Sequence, residues 1–217
     1  MKISFQRCVF ALLFAALTAS AATDRRAAAR YLVDSWQTDQ GLPQNSVISM
    51  TQSHDGYLWL ATFNGLVRFD GVRFTVFNSH NTPALDSSRI VRLWEDNANR
   101  LWVGTESGGL IRRDKAIFER VQTPGQPAQL NAICNGSSPG EVWLTLTDGR
   151  LLRFRDNQFT ELRTMWNNEP VGAMTPVSLN DGNVLIWTQR GALAWNGATF
   201  TPTIEAPNNG DVFAPSR

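Results

Sequence analysis

Cysteine and histidine are almost missing from this 217-residue chain, which has two of each. Cys8 falls in an N-terminal stretch that reads as a removable leader, so Cys134 is left alone and no internal disulfide can form; the fold must rest on packing. Without a His/Cys cluster a zinc site is excluded. The only imidazoles, His54 and His80, sit in a turn and a polar loop, and both read as plain surface rather than as the base of a hydrolytic triad. Charge of one sign is lacking too. Removal of Lys2 and Arg7 with the leader leaves 18 basic against 19 acidic residues, a formal charge of −1, so no basic patch points to a nucleic-acid partner. After residue 22 no apolar run approaches the roughly 20 residues of a transmembrane helix.

What the chain has is one phrase written four times. Gly56-Tyr-Leu-Trp-Leu-Ala-Thr-Phe-Asn-Gly-Leu-Val-Arg-Phe-Asp-Gly-Val-Arg-Phe74 aligns without a gap to Gly182-Asn-Val-Leu-Ile-Trp-Thr-Gln-Arg-Gly-Ala-Leu-Ala-Trp-Asn-Gly-Ala-Thr-Phe200, 126 residues on. Between them lie Arg100 to Phe118 and Glu141 to Phe159. Trp59, Trp102, Trp143 and Leu185 hold one position, at spacings of 43, 41 and 42 residues. A period in this range marks a repeat architecture.

Inside a repeat the apolar residues alternate and Gly, Asp and Asn punctuate them, which reads as short strands and tight turns. In the first repeat the expected strands are Val47 to Gln52, Tyr57 to Thr62, Leu66 to Phe69 and Arg73 to Phe77. Asp55-Gly56, Asn64-Gly65 and Asp70-Gly71 are the expected turns, favoured because two-residue hairpins need positive φ. Four strands in about 42 residues make one propeller blade. The fold class expected is therefore all-β: a β-propeller of about four four-stranded blades, part of a larger ring of six to eight. The recurring tryptophans read as wedges between blades, and any aromatic that touches a ligand is expected among the irregular ones, such as Trp94 and Trp166. Asp55, Asp70, Asp114, Asp148, Asp156 and Asp181 read as turn formers. Asp96 to Asn99 resembles the opening of a calcium loop, but Leu101 and Ser107 stand where Gly and Glu are needed, so it too reads as a turn and no metal site is expected.

The expected organisation is a signal peptide over 1–21, with Lys2 and Arg7 before an apolar stretch and Ala19-Ser-Ala21 at its end, then a linker over 22–30 and a propeller over 31–217. Its blades span about 42–79, 80–123, 124–165 and 166–204, with the start of another at 205–217. Tyr31 to Trp36 reads as a lone strand that closes a ring. Export across a membrane follows from the leader.

Trp36-Gln-Thr-Asp-Gln-Gly-Leu-Pro-Gln-Asn-Ser-Val47, Asp55-Gly-Tyr-Leu-Trp-Leu-Ala-Thr62 and Asn64-Gly-Leu-Val-Arg-Phe-Asp-Gly71 closely resemble the repeats of the two-component regulator propeller family. Leu101-Trp-Val-Gly-Thr105 and Gly109-Leu-Ile-Arg112 form a second copy of the signature, and Thr145 and Leu185 depart from it. The resemblance implies the front of a periplasmic sensor that continues into a linking β-domain, one membrane helix and a cytoplasmic histidine kinase or diguanylate cyclase. On this reading the segment carries no enzyme activity and no cofactor, meets the membrane only through a missing C-terminal helix, and belongs to a receptor that pairs as a homodimer. A secreted binding scaffold is the alternative, and a carbohydrate-active enzyme a weaker one, since paired carboxylates are not excluded by sequence alone. Small molecules or oligosaccharides are the ligands implied. Asn45, Ser46, Ser88, Arg89 and Asn131 open the inner strands at one rim and are the candidate ligand contacts. Arg89 is foremost, as a guanidinium able to grip a carboxylate or uronic acid.

Overall fold

The computed structural model describes residues 33–206; the leader, the linker and the start of a further blade fall wholly or almost wholly outside them. Four antiparallel sheets of four strands follow one another as meanders. The first blade contains β1 (Ser49–Gln52), β2 (Leu58–Thr62), β3 (Gly65–Phe69) and β4 (Phe74–Phe77). The second has β5 (Ile90–Glu95), β6 (Leu101–Thr105), β7 (Leu110–Asp114) and β8 (Ile117–Val121). β9 (Leu130–Asn135), β10 (Val142–Leu146), β11 (Leu151–Arg155) and β12 (Gln158–Leu162) make the third. A small hairpin, β13 (Met165–Trp166) and β14 (Glu169–Pro170), precedes the fourth blade, which consists of β15 (Ala173–Ser178), β16 (Val184–Thr188), β17 (Gly191–Trp195) and β18 (Phe200–Glu205). The inner strands pack in series, β1 on β5, β5 on β9 and β9 on β15, so the blades form an arc.

The tryptophans drive that packing. Trp59, Trp102 and Trp143 are fully buried, and each lies in a core that joins its own blade to the next. Burying such a ring removes on the order of 200 Å² from water, worth about 5 kcal/mol at 25 cal/mol per Å². Each indole N–H also finds a buried acceptor. Trp59 donates to Ser53 Oγ at 3.1 Å, Trp102 to Asp96 Oδ2 at 2.8 Å and Trp143 to Glu141 Oε1 at 3.1 Å. Trp166 is buried in the core between the third and fourth blades, while Trp94 is half-buried and donates to Asn135 Oδ1 across a seam at 3.3 Å. Both irregular tryptophans are thus spent on packing. Thr145, the departure from the small residue of the signature, is buried and donates to the Met174 carbonyl across the next seam at 2.7 Å.

The turns work differently from the expectation. At Asp55-Gly56, Asn64-Gly65 and Asp70-Gly71 only the glycine takes positive φ. The polar residue before it acts through its side chain instead: Asp70 accepts the N–H groups of Val72 and Arg73 at 2.8 and 2.7 Å, which holds its carboxyl below the usual range. Asp148 and Asp181 accept backbone N–H groups in the same way. Paired positive φ occurs at Asp156-Asn157 and Asn167-Asn168, two-residue loops whose short polar side chains tolerate it. Gly65, at φ +138°, has a further reason to lack a side chain, since a Cβ there would lie 2.8 Å from the Phe77 carbonyl oxygen. Its counterpart 126 residues on, Gly191, would strike the Ile204 carbonyl in the same way.

The lone strand expected over Tyr31 to Trp36 falls only in part on the described residues. Tyr31 and Leu32 lie outside the described residues, and Val33 to Trp36 is irregular, followed by a 3₁₀ turn at Thr38–Gln40.

Candidate functional rim

The loops that lead into β1, β5, β9 and β15 and the turns between the second and third strands of the blades meet at one rim of the arc. In the first blade the loop is held by its own amides: Gln44 Oε1 accepts the Phe63 N–H at 3.0 Å, and Asn64 Nδ2 donates to the Pro43 carbonyl at 3.2 Å. Asn45 accepts the Thr38 N–H at 3.0 Å through Oδ1, and Ser46 beside it is exposed. In the second blade Ser88 Oγ lies 3.0 Å from Ser79 Oγ and accepts the Ser79 N–H.

Arg89 is already engaged. Its guanidinium grips Glu106 with two N–H groups and stacks on the Phe63 ring 4.0 Å from its centroid. The pairing holds the Glu106 carboxyl below its ordinary range and raises Arg89. Both side chains are nearly half exposed, 47% and 41%, so the pair is screened and cheap to rearrange. Gln129 Nε2 donates to the Glu106 carbonyl at 2.7 Å, which carries the constellation across to the third blade. Asn131 stands further along, at the third seam, and donates to the Met174 carbonyl at 2.6 Å.

The five residues expected from sequence therefore all lie where inner strands begin, but they do not form one cluster. Arg89 gathers Phe63, Glu106 and Gln129 instead of Asn45 or Asn131. Phe63 and Glu106 hold one repeat position, four residues after Trp59 and Trp102, but the residue type changes from blade to blade, so the repeat does not announce their chemistry. A planar cation on an aromatic ring, beside a carboxylate and an amide, offers donors, acceptors and an apolar face to a polyhydroxylated or carboxylated ligand.

The opposite side of the arc carries seam contacts and a cavity lined by Glu141, Trp143, Arg153, Arg155 and Asp181. The His54 N–H donates to Glu95 Oε2 at 2.8 Å and its ring Nδ1 lies 2.7 Å from Oε1, joining the first blade to the second. One repeat later the Asn97 N–H donates to Asn135 Oδ1 at 3.2 Å. The expected plain-surface His54 is thus an inter-blade clamp. Cys134 is buried, and burial with the nearby Glu141 charge pushes its thiol up to about 12, so it is inert as a nucleophile. Among the described residues no group of three or more His, Cys, Asp or Glu side chains could hold a metal ion.

Residues 41–64, which contain the first rim loop, β1, β2 and the Phe63-Asn64 turn, match the family model described as two component regulator propeller. No curated protein matches the chain. Among solved structures, the extracellular domain of a hybrid two component system from B. thetaiotaomicron is 25% identical with a TM-score of 0.59, over 78% of this chain and 23% of that one. The extracellular domain of a one component system from the same organism is 21% identical with a TM-score of 0.61, over 76% and 23%. Virginiamycin B lyase from Staphylococcus aureus is 16% identical with a TM-score of 0.58, over 74% and 56%, a likeness of fold alone. The chain spans about a quarter of the length of the two sensor domains.

Proposed function

The chain carries a two component regulator propeller repeat, and we propose that its arc is the extracytoplasmic ligand-sensing region of a bacterial membrane-bound signal-transduction receptor. The observation that carries this reading is the matched segment itself, residues 41–64, which builds the rim loop and the Phe63 platform under Arg89. The likeness to extracellular domains of hybrid two component systems supports it. The leader exports the arc to the periplasm; a membrane helix and an output domain, histidine kinase or diguanylate cyclase, belong to sequence beyond it. Binding of a small molecule or oligosaccharide at the rim shifts an existing equilibrium between two arrangements of a homodimeric receptor. Arg89 exchanges or shares its Glu106 partner with the ligand, with Asn45, Ser46, Ser88 and Asn131 as flanking contacts.

Calorimetric titration with uronic-acid oligosaccharides tests the rim. Arg89→Ala is expected to weaken binding by about tenfold or more, the worth of a charge-assisted bidentate contact. Unchanged affinity in that variant removes Arg89 from the site.

A further inference from the structure

The three seams of the arc are not closed alike on the side opposite the rim. At the first, His54 clamps Glu95. At the second, Asn97 Oδ1 accepts the Gly140 N–H at 2.7 Å and Arg112 Nη1 donates to Asn157 Oδ1 at 2.7 Å. Among the described residues no hydrogen bond crosses the third seam on that side, and a cavity of about 300 Å³ lies there instead.

The repeat shows what has changed. Register aligns Arg68, Arg112 and Arg153, each opposite the tryptophan wedge of its own blade. Arg112 is anchored across its seam by Asn157, but Ala198 holds that turn position in the fourth blade and has no acceptor to offer. Arg153 gives its Nε to Glu141 within the blade at 2.7 Å, and its two terminal nitrogens donate no hydrogen bond among the described residues. Two residues on, on the same side of the strand, Arg155 stands where the first two blades have Asp70 and Asp114. Arg155 is 51% exposed, lies 3.6 Å from Asp156 and likewise donates no hydrogen bond among the described residues. The fourth blade lines the cavity with Asp181, whose two oxygens accept Asn183 N–H groups at 3.0 and 2.8 Å and retain acceptor capacity. Half-buried Trp195, edge-on to Trp143 at 5.4 Å, adds an aromatic wall.

We propose that this cavity is a second ligand site and that it takes a free α-amino acid. The carboxylate lies on Arg155 and the open end of Arg153, the ammonium on Asp181, and the side chain against Trp195. Open cationic donors on the third blade and an anion on the fourth select a zwitterion over a simple anion or a neutral sugar. The volume is at the small end of ligand pockets, which suits one amino acid and not an oligosaccharide. Bound there, the ligand bridges the one seam that lacks cross-blade hydrogen bonds on this side. The site lies away from the rim and does not rest on the reading of Arg89.

Calorimetric titration of the purified chain tests this, with the common L-α-amino acids in turn, the α-hydroxy acid that matches the best binder, and inorganic phosphate. At least one amino acid is expected to bind one to one, and the hydroxy acid and phosphate about tenfold or more weakly, since neither carries an ammonium. Arg155→Ala and Asp181→Asn, both at exposed positions, are each expected to weaken the amino acid by about tenfold or more. Asp181→Asn keeps the oxygen that holds its turn, and an unchanged circular dichroism melt shows that each variant folds. Arg89→Ala is expected to leave this affinity as it was. Absence of binding by every amino acid overturns the proposal. Equal binding of the hydroxy acid or phosphate reduces the site to an anion site and overturns it too, a comparison within the wild-type chain that needs no variant to fold. Unchanged affinity in Arg155→Ala, or a loss in Arg89→Ala that moves the ligand to the rim, has the same force.

Discussion

Trp102→Ala is expected to destabilise the protein by about 3–5 kcal/mol in chemical denaturation, the range for emptying a buried aromatic site. The ring fills the seam between the second and third blades against Phe154, at a centroid distance of 5.0 Å, and against Ile133 and Val142. Its loss opens a cavity in a core that cannot collapse without moving two sheets. Asp96 also loses a donor, though it keeps the N–H groups of Ala98 and Arg100 at 2.9 and 3.0 Å and the Arg100 Nε at 2.8 Å. Trp102→Phe keeps much of the apolar volume and gives up only the 2.8 Å bond to Asp96, so a cost of about 1–2 kcal/mol is expected. Equal losses in the two variants would mean that the hydrogen bond, not the wedge, holds the seam.

Glu141→Gln is the second large effect, about 3 kcal/mol at neutral pH, as when one partner is removed from a buried ion pair. The carboxylate is 2% exposed and accepts Arg153 Nε at 2.7 Å, the Trp143 indole N–H at 3.1 Å and the Ser138 N–H at 3.3 Å. Burial pushes its pKa up, but the Arg153 hydrogen bond and charge, then Trp143 and Ser138, outweigh burial and hold it below the usual carboxylate range. A lowered folded-state pKa contributes stability that is complete above the ordinary value of about 4.3 and is lost as pH falls through the folded value. The gap between wild type and Glu141→Gln is therefore expected to stay constant from pH 7 down to about 5 and to narrow below about 4. Other carboxylates titrate in both proteins and cancel in the difference. A gap independent of pH across that range would place the loss in packing instead of in the ion pair.

The strands could be read from the chain because alternation and turn residues are local signals: in the first blade the expected strands differ from the observed ones by one or two residues at their starts. The tryptophan wedges were legible for the same reason, as a spacing with one buried outcome. The acceptors that satisfy them were not, because Ser53 and Asp96 stand six residues before the ring but differ in type, and Glu141 stands only two before it. Seam contacts such as His54 with Glu95 and Arg112 with Asn157 join residues 41 and 45 apart, and nothing local in either segment announces the partner. Turn chemistry was half legible. The glycines stand where positive φ is needed, while the Asp residues act by accepting backbone N–H groups, a role sequence does not separate from tolerance of that φ. At the rim, Arg89 was found by position, yet its engagement with Glu106 and Phe63 depends on how two blades meet.

The sensor reading stands on export of the arc. Alkaline phosphatase, which folds only where its disulfides can form, fused after Arg217 reports the compartment directly, with a second fusion lacking residues 1–21 as the control. Activity with the leader and none without it is the expected result; an inactive fusion with the leader intact would leave the arc in the cytoplasm and contradict an extracytoplasmic sensor.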